Sequence, residues 1–256
     1  MTTREPLESE LKRRTRFGTL RHVATCSSTQ DLAEEAAKAI GGAPHDAVFW
    51  ADHQEQGRGR QQRVWHDEPG RDLAVTFRAS LDLADPVALP AALPVAVLQA
   101  CAPFTRAALR IKWPNDVYAG GCKLAGVLVD RDSARPRTYR IGVGLNVNRG
   151  AFPEDLAAPG TSLRLLAGRE LDREEVLLSL AVAVDAALTA IAPGGDRRGH
   201  EAAFRERLEL LGREVSVTAG QEITGTLTAI DFERLVLDGD RALPLAIVTR
   251  LAPQTA

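Results

Sequence analysis

Residues 57–65 read GRGRQQRVW, in which Arg58 and Arg60 alternate with Gly57 and Gly59, Arg63 follows two glutamines and Trp65 closes the run. Glycine lets backbone N–H groups approach an anion closely and permits shapes that other residues resist. Arginine adds a planar fork of donors matched to phosphate or carboxylate. The combination suits a diphosphate, a triphosphate or an acyl phosphate. It is not G-x-x-x-x-G-K-[ST], and it does not sit at a strand-to-helix turn, so neither a P-loop nor a dinucleotide fingerprint is present. The plain alternatives are a solvated charged loop or an RNA-binding Arg-Gly patch.

Residues 112–130 read KWPNDVYAGGCKLAGVLVD. Lys112, Asn115 and Asp116 surround a corner at Pro114. Asp and Asn beside phosphate-binding groups can give Mg²⁺ one or two oxygens, although Pro-Asn-Asp is also good turn chemistry. Lys123 opens a strongly apolar strand, where an ammonium calls for a carboxylate or phosphate partner, or else snorkels outward. Only four of the 32 basic residues are lysines, Lys12, Lys38, Lys112 and Lys123, and two of them fall in this stretch. Arginine cannot supply a compact ammonium on a flexible stem.

Residues 141–148 read IGVGLNVN. Gly142, Gly144 and Asn146 share one face of a strand, and glycine in a strand marks a close approach, by a flat ligand or by a tightly crossed helix. Ser28, Thr29 and the Gln54 amide can satisfy a polar, uncharged head group, while the serines also serve as helix caps. The five histidines show no ligand spacing and G-x-S-x-G is absent, which argues against metal hydrolysis and nucleophilic serine chemistry.

The elements that must position these groups follow from the pattern. Residues 1–20 are expected to be a short polar arm. A helix is predicted over 27–42, closed by Gly41-Gly42, then strands over 47–52 and 73–79 flanking a long polar loop. An apolar helix follows at 91–104, then strands at 109–113, 117–130 and 139–148 with a Gly120-Gly121 hairpin, and helices at 174–191 and 199–211. Beyond Gly212 short alternating strands suggest a small β-barrel. The expected class is α+β, a mixed sheet flanked by helices over 21–211 with a C-terminal SH3-like β-domain over 212–256. The 256 residues suffice for such a core, and a net charge of −2 argues against bulk electrostatic binding of nucleic acid. No apolar run is expected to reach membrane-spanning length, no signal peptide is evident, and three cysteines without C-x-x-C spacing give neither a disulfide framework nor a zinc site. A cytoplasmic protein is expected.

Taken in order, GRGRQQRVW resembles the GRGRxGRxW motif of the biotin–protein ligases, KWPNDVYAGGCKLAGVLVD resembles their KWPND…KLAGILVE, and IGVGLNVN resembles their GxGxN strand. The resemblance is close over about residues 22–150 and looser in the C-terminal domain. It implies a class II synthetase-like catalytic fold and a two-step reaction: biotin and ATP form biotinyl-5'-AMP, then biotin passes to a lysine of a carrier domain. Biotin would be held by Ser28, Thr29, Gln30, Gln54, Gly57, Arg58, Gly59, Arg60, Lys123, Gly126, Gly142 and Gly144. ATP and adenylate would meet Arg58, Arg60, Arg63, Trp65, Lys112, Asn115, Asp116, Lys123 and Asn146, with Mg²⁺ reached by Asp116 through ATP. Lys123, Arg60 and Arg58 would carry catalysis. Implied partners are the biotin carboxyl carrier protein or domain of acyl-CoA carboxylase or pyruvate carboxylase, with no specific DNA binding, no membrane, and a monomer or homodimer. Two positions depart from the motifs: Gln62 stands where glycine is usual, and Gln30 where asparagine is common. Lipoate–protein ligases and octanoyltransferases share the fold and remain the alternative, although they generally lack the GRGR run.

Overall fold

Runs of Val, Phe, Ile and Trp at alternating positions build a central sheet, seen in a computed structural model that describes residues 5–39, 46–83, 86–132, 135–153 and 158–254, without the side chains of Ala39 and Gln62. Its strands are β1 (Thr19–Cys26), β2 (Ala47–Gln54), β3 (Leu73–Ser80), β4 (Leu109–Lys112), β5 (Asp116–Ala119), β6 (Cys122–Arg131) and β7 (Thr138–Leu145). They lie in the order β1-β2-β3-β7-β6-β5-β4. β1 and β2 are parallel, and α2 (Thr29–Ala39) makes the crossover between them that parallel neighbours require. The remaining pairs are antiparallel, so the sheet is mixed.

Strand alternation gives the sheet two unlike faces. Val48 and Trp50 of β2, with Val75 and Phe77 of β3, join the main core beneath α3 (Leu89–Cys101) and α5 (Arg173–Ile191), the latter preceded by the short α4 (Leu163–Ala167). Their neighbours Ala47 and Phe49 face the other way and pack with Leu32 and Ala33 of α2. Thr76, Gly142, Gly144 and Gly126 share this second face, which α2 covers only in part.

A second, five-stranded antiparallel sheet in the order β11-β10-β9-β8-β12 follows α6 (Arg198–Leu208) and is compatible with a small barrel. Its strands are β8 (Glu214–Ala219), β9 (Gln221–Ile230), β10 (Arg234–Leu237), β11 (Arg241–Pro244) and β12 (Arg250–Pro253). Three aromatic rings tie it to the rest. Phe204 of α6 lies 6.1 Å from Trp113 and 5.6 Å from Phe232, both edge-on, and Trp113 Nε1 donates to the Val248 carbonyl at 3.0 Å. Phe204 is fully buried. Phe204→Ala is therefore expected to cost about 3–5 kcal/mol of stability, measured by urea unfolding.

Three sequence expectations need correction. The expected polar arm holds a helix, α1 (Glu5–Arg14), whose Leu7 and Leu11 are buried against β1 and α5. Two leucines at i and i+4 are too thin a stripe to stand out among eight other residues. β1 went unread because Thr-Leu-Arg-His-Val-Ala-Thr-Cys is a half-exposed edge strand with a weak apolar alternation. The segment Pro86–Phe104, 19 residues of mean hydropathy 1.8, is long and apolar enough to cross a membrane by length and composition. In the fold most of it is buried against the sheet and α5. The predicted helix stop at Gly41-Gly42 lies outside the described residues.

Candidate active site

The glycine face of β6 and β7 forms a floor, and the register explains it. Gly126 pairs with Gly144, and Gly142 stands two residues along on the same side. A Cβ on Gly144 would meet the Trp65 ring at 2.3 Å, and one on Gly142 would meet Gln30 Nε2 at 2.8 Å. The Gly142 notch takes a side chain of α2, the helix that crosses this face, and the Gly144 notch takes an aromatic ring from the loop. Trp65 fills one, and the Gln30 amide, donating to the carbonyls of Leu128 and Arg140, fills the other. On Gly126 a Cβ would stand 3.2 Å from Asp116 Oδ1 and 3.3 Å from Lys123 Nζ.

At one end of this floor lies a wall of buried polar side chains. The Gln54 side-chain oxygen accepts from the Thr29 N–H at 2.9 Å and from the Thr29 hydroxyl at 3.1 Å, with the Ser28 hydroxyl at 3.5 Å. Thr76 Oγ1 donates to Thr29 Oγ1 at 2.9 Å, and the Gln30 N–H donates to Ser28 Oγ. Ser28, Thr29, Gln30 and Gln54 are all buried. Gln30 Oε1 has no hydrogen-bond partner, so a buried acceptor is available on this wall.

At the other end are the charges. Lys123 Nζ lies 2.8 Å from Asp116 Oδ1 and 5.6 Å from the centre of the Trp65 ring. That carboxylate oxygen is buried and lacks an aligned hydrogen bond. Arg60 is half-buried; desolvation holds its guanidinium below the ordinary arginine value, and the Asp116 charge opposes that shift. Lys112 caps the Tyr118 ring from 5.0 Å, and burial beside Asp116 pushes the Tyr118 phenol up to about 12. Asn115 plays a scaffold role, its Nδ2 donating to the Val127 carbonyl at 2.9 Å while its carbonyl accepts the Val127 N–H. Asn146 likewise faces backbone, donating to the carbonyls of Thr161 at 2.9 Å and Lys123 at 3.3 Å.

The Arg-Gly run folds over this floor as a tight hairpin. Trp65 N donates to Gly57 O at 2.9 Å, Gly59 N to Arg63 O at 2.7 Å, and Arg63 N to Arg60 O at 3.2 Å. A Cβ on Gly57 would stand 2.5 Å from the Trp65 carbonyl, so the close approach of the two arms of the hairpin demands glycine there. Gly59 carries no such demand; its nearest neighbour would be at 3.4 Å. The left-handed turn at the tip falls on Gln61, φ 55, one residue before Gln62. Arg58 forms a forked ion pair with Asp31 on the first turn of α2.

Several of these partners were missed in the sequence. Asp31, which pairs with Arg58, Asp67, which accepts the Gln54 N–H, and Asp72 and Arg149, which pair with each other, were not singled out there. None carries a local signal, because each acquires its partner through long-range contact.

Comparison with known proteins follows the same stretches. Residues 24–148 match the model of the biotin/lipoate A/B protein ligase family. A biotin–[acetyl-CoA-carboxylase] ligase of Mycobacterium tuberculosis is 34% identical over 234 residues, which cover 84% of this chain and 82% of that protein. The chain belongs to the biotin/lipoate A/B protein ligase family. Another relative, the bifunctional ligase/repressor BirA of Bacillus subtilis, is 36% identical over 157 residues, 59% of this chain; the chain spans about half the length of that protein (48%). A solved biotin protein ligase from Aquifex aeolicus, in complex with biotin and ATP, superposes with a TM-score of 0.78 at 24% identity, covering 93% of this chain and all of that one. The last likeness establishes a biotin protein ligase fold for the mixed sheet and its helices. The glycine floor, the Lys123 amine and the Arg-Gly hairpin all fall within the matched residues 24–148.

Proposed function

We propose that this chain is an ATP-dependent biotin–protein ligase that forms biotinyl-5'-AMP and transfers biotin to a lysine of a carboxylase carrier domain. The observation that carries the reading is the placement of one ammonium, Lys123 Nζ, at the glycine floor, between the Trp65 roof and the Asp116 carboxylate. The named activities of the mycobacterial relative and of the Aquifex protein support it.

In the first step a biotin carboxylate oxygen attacks the α-phosphorus of ATP, and pyrophosphate leaves. Two anions must be brought together, so the site has to cancel their repulsion in a water-poor space. Lys123 stands where it can bridge carboxylate and phosphate, and Arg58, Arg60 and Arg63 bring three guanidinium groups on the lid. Ser28, Thr29, Gln30 and Gln54 would hold the uncharged ring system, with Gln30 Oε1 free to accept from a ring N–H. In the second step the acceptor amine attacks the acyl carbon of the mixed anhydride and AMP leaves. The acceptor would be a biotin carrier domain of acyl-CoA carboxylase or pyruvate carboxylase.

Mg²⁺ fits this site only as a companion of the triphosphate. Among the described residues no group of three or more His, Cys, Asp or Glu could hold a metal alone. Asp116 can add a single oxygen, which suits an ion that keeps its waters and takes most ligands from phosphate. When bound it would supply charge neutralisation at the leaving pyrophosphate.

Incubation with ATP, labelled biotin and a purified carrier domain should label the carrier lysine. Labelling with lipoate but not biotin would transfer the assignment to the lipoate branch of the family. Arg60→Gly removes a half-buried lid cation facing Asp116. It is expected to let biotinyl-adenylate escape and label bystander proteins, read as carrier-independent incorporation; full retention of the intermediate would count against the lid.

A further inference from the structure

The lid has two feet, and one of them is locked by a buried ion pair that lies outside all three sequence motifs. Arg149, just past the end of the IGVGLNVN stretch, is 5% exposed, and Asp72, at the entry to β3, is 1% exposed. Arg149 Nε donates to Asp72 Oδ2 at 3.0 Å, and its Nη2 donates both to the same oxygen and to the His66 carbonyl at 2.7 Å. His66 directly follows Trp65. The Asp72 carboxylate also accepts the N–H of Glu68 at 2.8 Å and of Val147 at 3.2 Å. The pair is held from behind as well. Arg149 lies over the Phe152 ring at 5.0 Å, its carbonyl accepts the Ser162 hydroxyl at 2.6 Å, and the Asp72 carbonyl accepts from Arg173.

We infer that Arg149 and Asp72 are positioning residues that fix the exit foot of the lid, through the His66 carbonyl, so that Trp65 lands on Gly144 when the lid closes. Three backbone points meet at this pair: His66 and Glu68 after the lid, and Val147 at the end of the glycine strand. The fork matters more than the charge. One guanidinium reaches a carboxylate and a carbonyl at once in a fixed plane, which an ammonium on a flexible stem does not reproduce. Burial makes the arrangement stiff, since an opened pair would leave a desolvated carboxylate without its partner. The entry foot is held more lightly, by backbone bonds from Glu55 and Gln56 to the carbonyls of Cys26 and Ser27 and by the exposed Arg58–Asp31 pair. The hairpin therefore swings on the Gly57 side and stays registered on the His66 side.

The consequence for catalysis rests on the ligase reading; the anchoring itself does not, and its test needs no substrate. Arg58, Arg60 and Arg63 are trypsin sites within the lid, so the ligand-free protein reports lid release as cleavage there, mapped by mass spectrometry. Arg149→Lys keeps the charge opposite Asp72 but loses the fixed fork. The double variant Arg149→Met with Asp72→Asn removes the pair without stranding a charge. Both are expected to raise lid cleavage at least tenfold while cleavage elsewhere and the cooperative melting transition are retained. Unchanged lid cleavage in either folded variant, or wild-type protection restored by lysine, would reduce the pair to charge compensation and overturn the inference. Hydrogen exchange on the unmodified protein is a second reading. The amides of Glu68 and Val147 should exchange as slowly as the central strands; exchange as fast as residues 58–63 would equally overturn it. In the active enzyme the same variants should release biotinyl-adenylate about tenfold faster with biotin KM raised more than kcat is lowered, a split that uniform destabilisation does not produce.

Discussion

Lys123→Ala is expected to slow pyrophosphate release from ATP and biotin by about 10²–10³-fold, the loss typical of removing one charge-stabilising donor from a preorganised site. Among the described residues the ammonium is the one compact cation at the glycine floor, and a guanidinium does not have the same shape. The variant should still fold. The Lys123 side chain is 28% exposed, and Arg60 remains to act on the Asp116 charge. The measurement is coupled pyrophosphate release with saturating biotin, alongside the melting temperature. A variant that melts like the parent and turns over within a factor of three would remove Lys123 from the chemistry. Lys123→Arg is the sharper control. If charge alone mattered it would restore most of the rate; a wide planar guanidinium in place of the compact ammonium 2.8 Å from Asp116 Oδ1 predicts that it will not.

Gly144→Ala should produce a loss of similar size by a different route. The added methyl would lie 2.3–2.7 Å from three carbons of the Trp65 ring, inside any tolerable contact, so the ring must leave the floor. Trp65 is bonded through its own backbone to Gly57, and displacing it lifts the whole hairpin. On the proposed ligase reading the site would then stay wet as the anhydride forms, and hydrolysis would compete with transfer. The readout is the ratio of AMP produced to carrier lysine labelled, which should rise more than tenfold. Pairing Gly144→Ala with Trp65→Phe relieves the clash with a smaller ring, and the cycle isolates the contact. Partial recovery of the ratio in the double variant is the expected result. A ratio equal to that of the parent in the single variant would show that Trp65 does not seal the floor.

The chemistry-bearing stretches were legible because each breaks a local rule. Glycines in a strand, a lysine at the head of an oily one and arginines on a glycine-rich loop are costly or idle without a partner. Helices α3 and α5 and strands β2 to β7 were legible from their apolar content and alternation. α1 was not, because two leucines suffice once α5 supplies the other half of the contact. The same limit applied inside the site. Gly142 and Gly144 were read as marking a close approach, by a flat ligand or by a crossed helix; in the fold Gln30 of α2 and Trp65 make that approach, from 112 and 79 residues away in sequence. Asn115 and Asn146, which the resemblance assigns to the nucleotide, also donate to the backbone carbonyls of Val127, Thr161 and Lys123, partners that no local pattern announces.

What the sequence by itself determined was the inventory: which side chains could handle paired anions, which backbone positions had to stay bare, and the order of strands and helices that carries them. Only the tertiary structure decided the pairings, Lys123 with Asp116, Arg58 with Asp31 and Arg149 with Asp72. The reason is physical. Propensity and periodicity act over one or two turns of chain, whereas a charge finds its partner across the sheet, where burial strengthens the attraction and no local pattern records it.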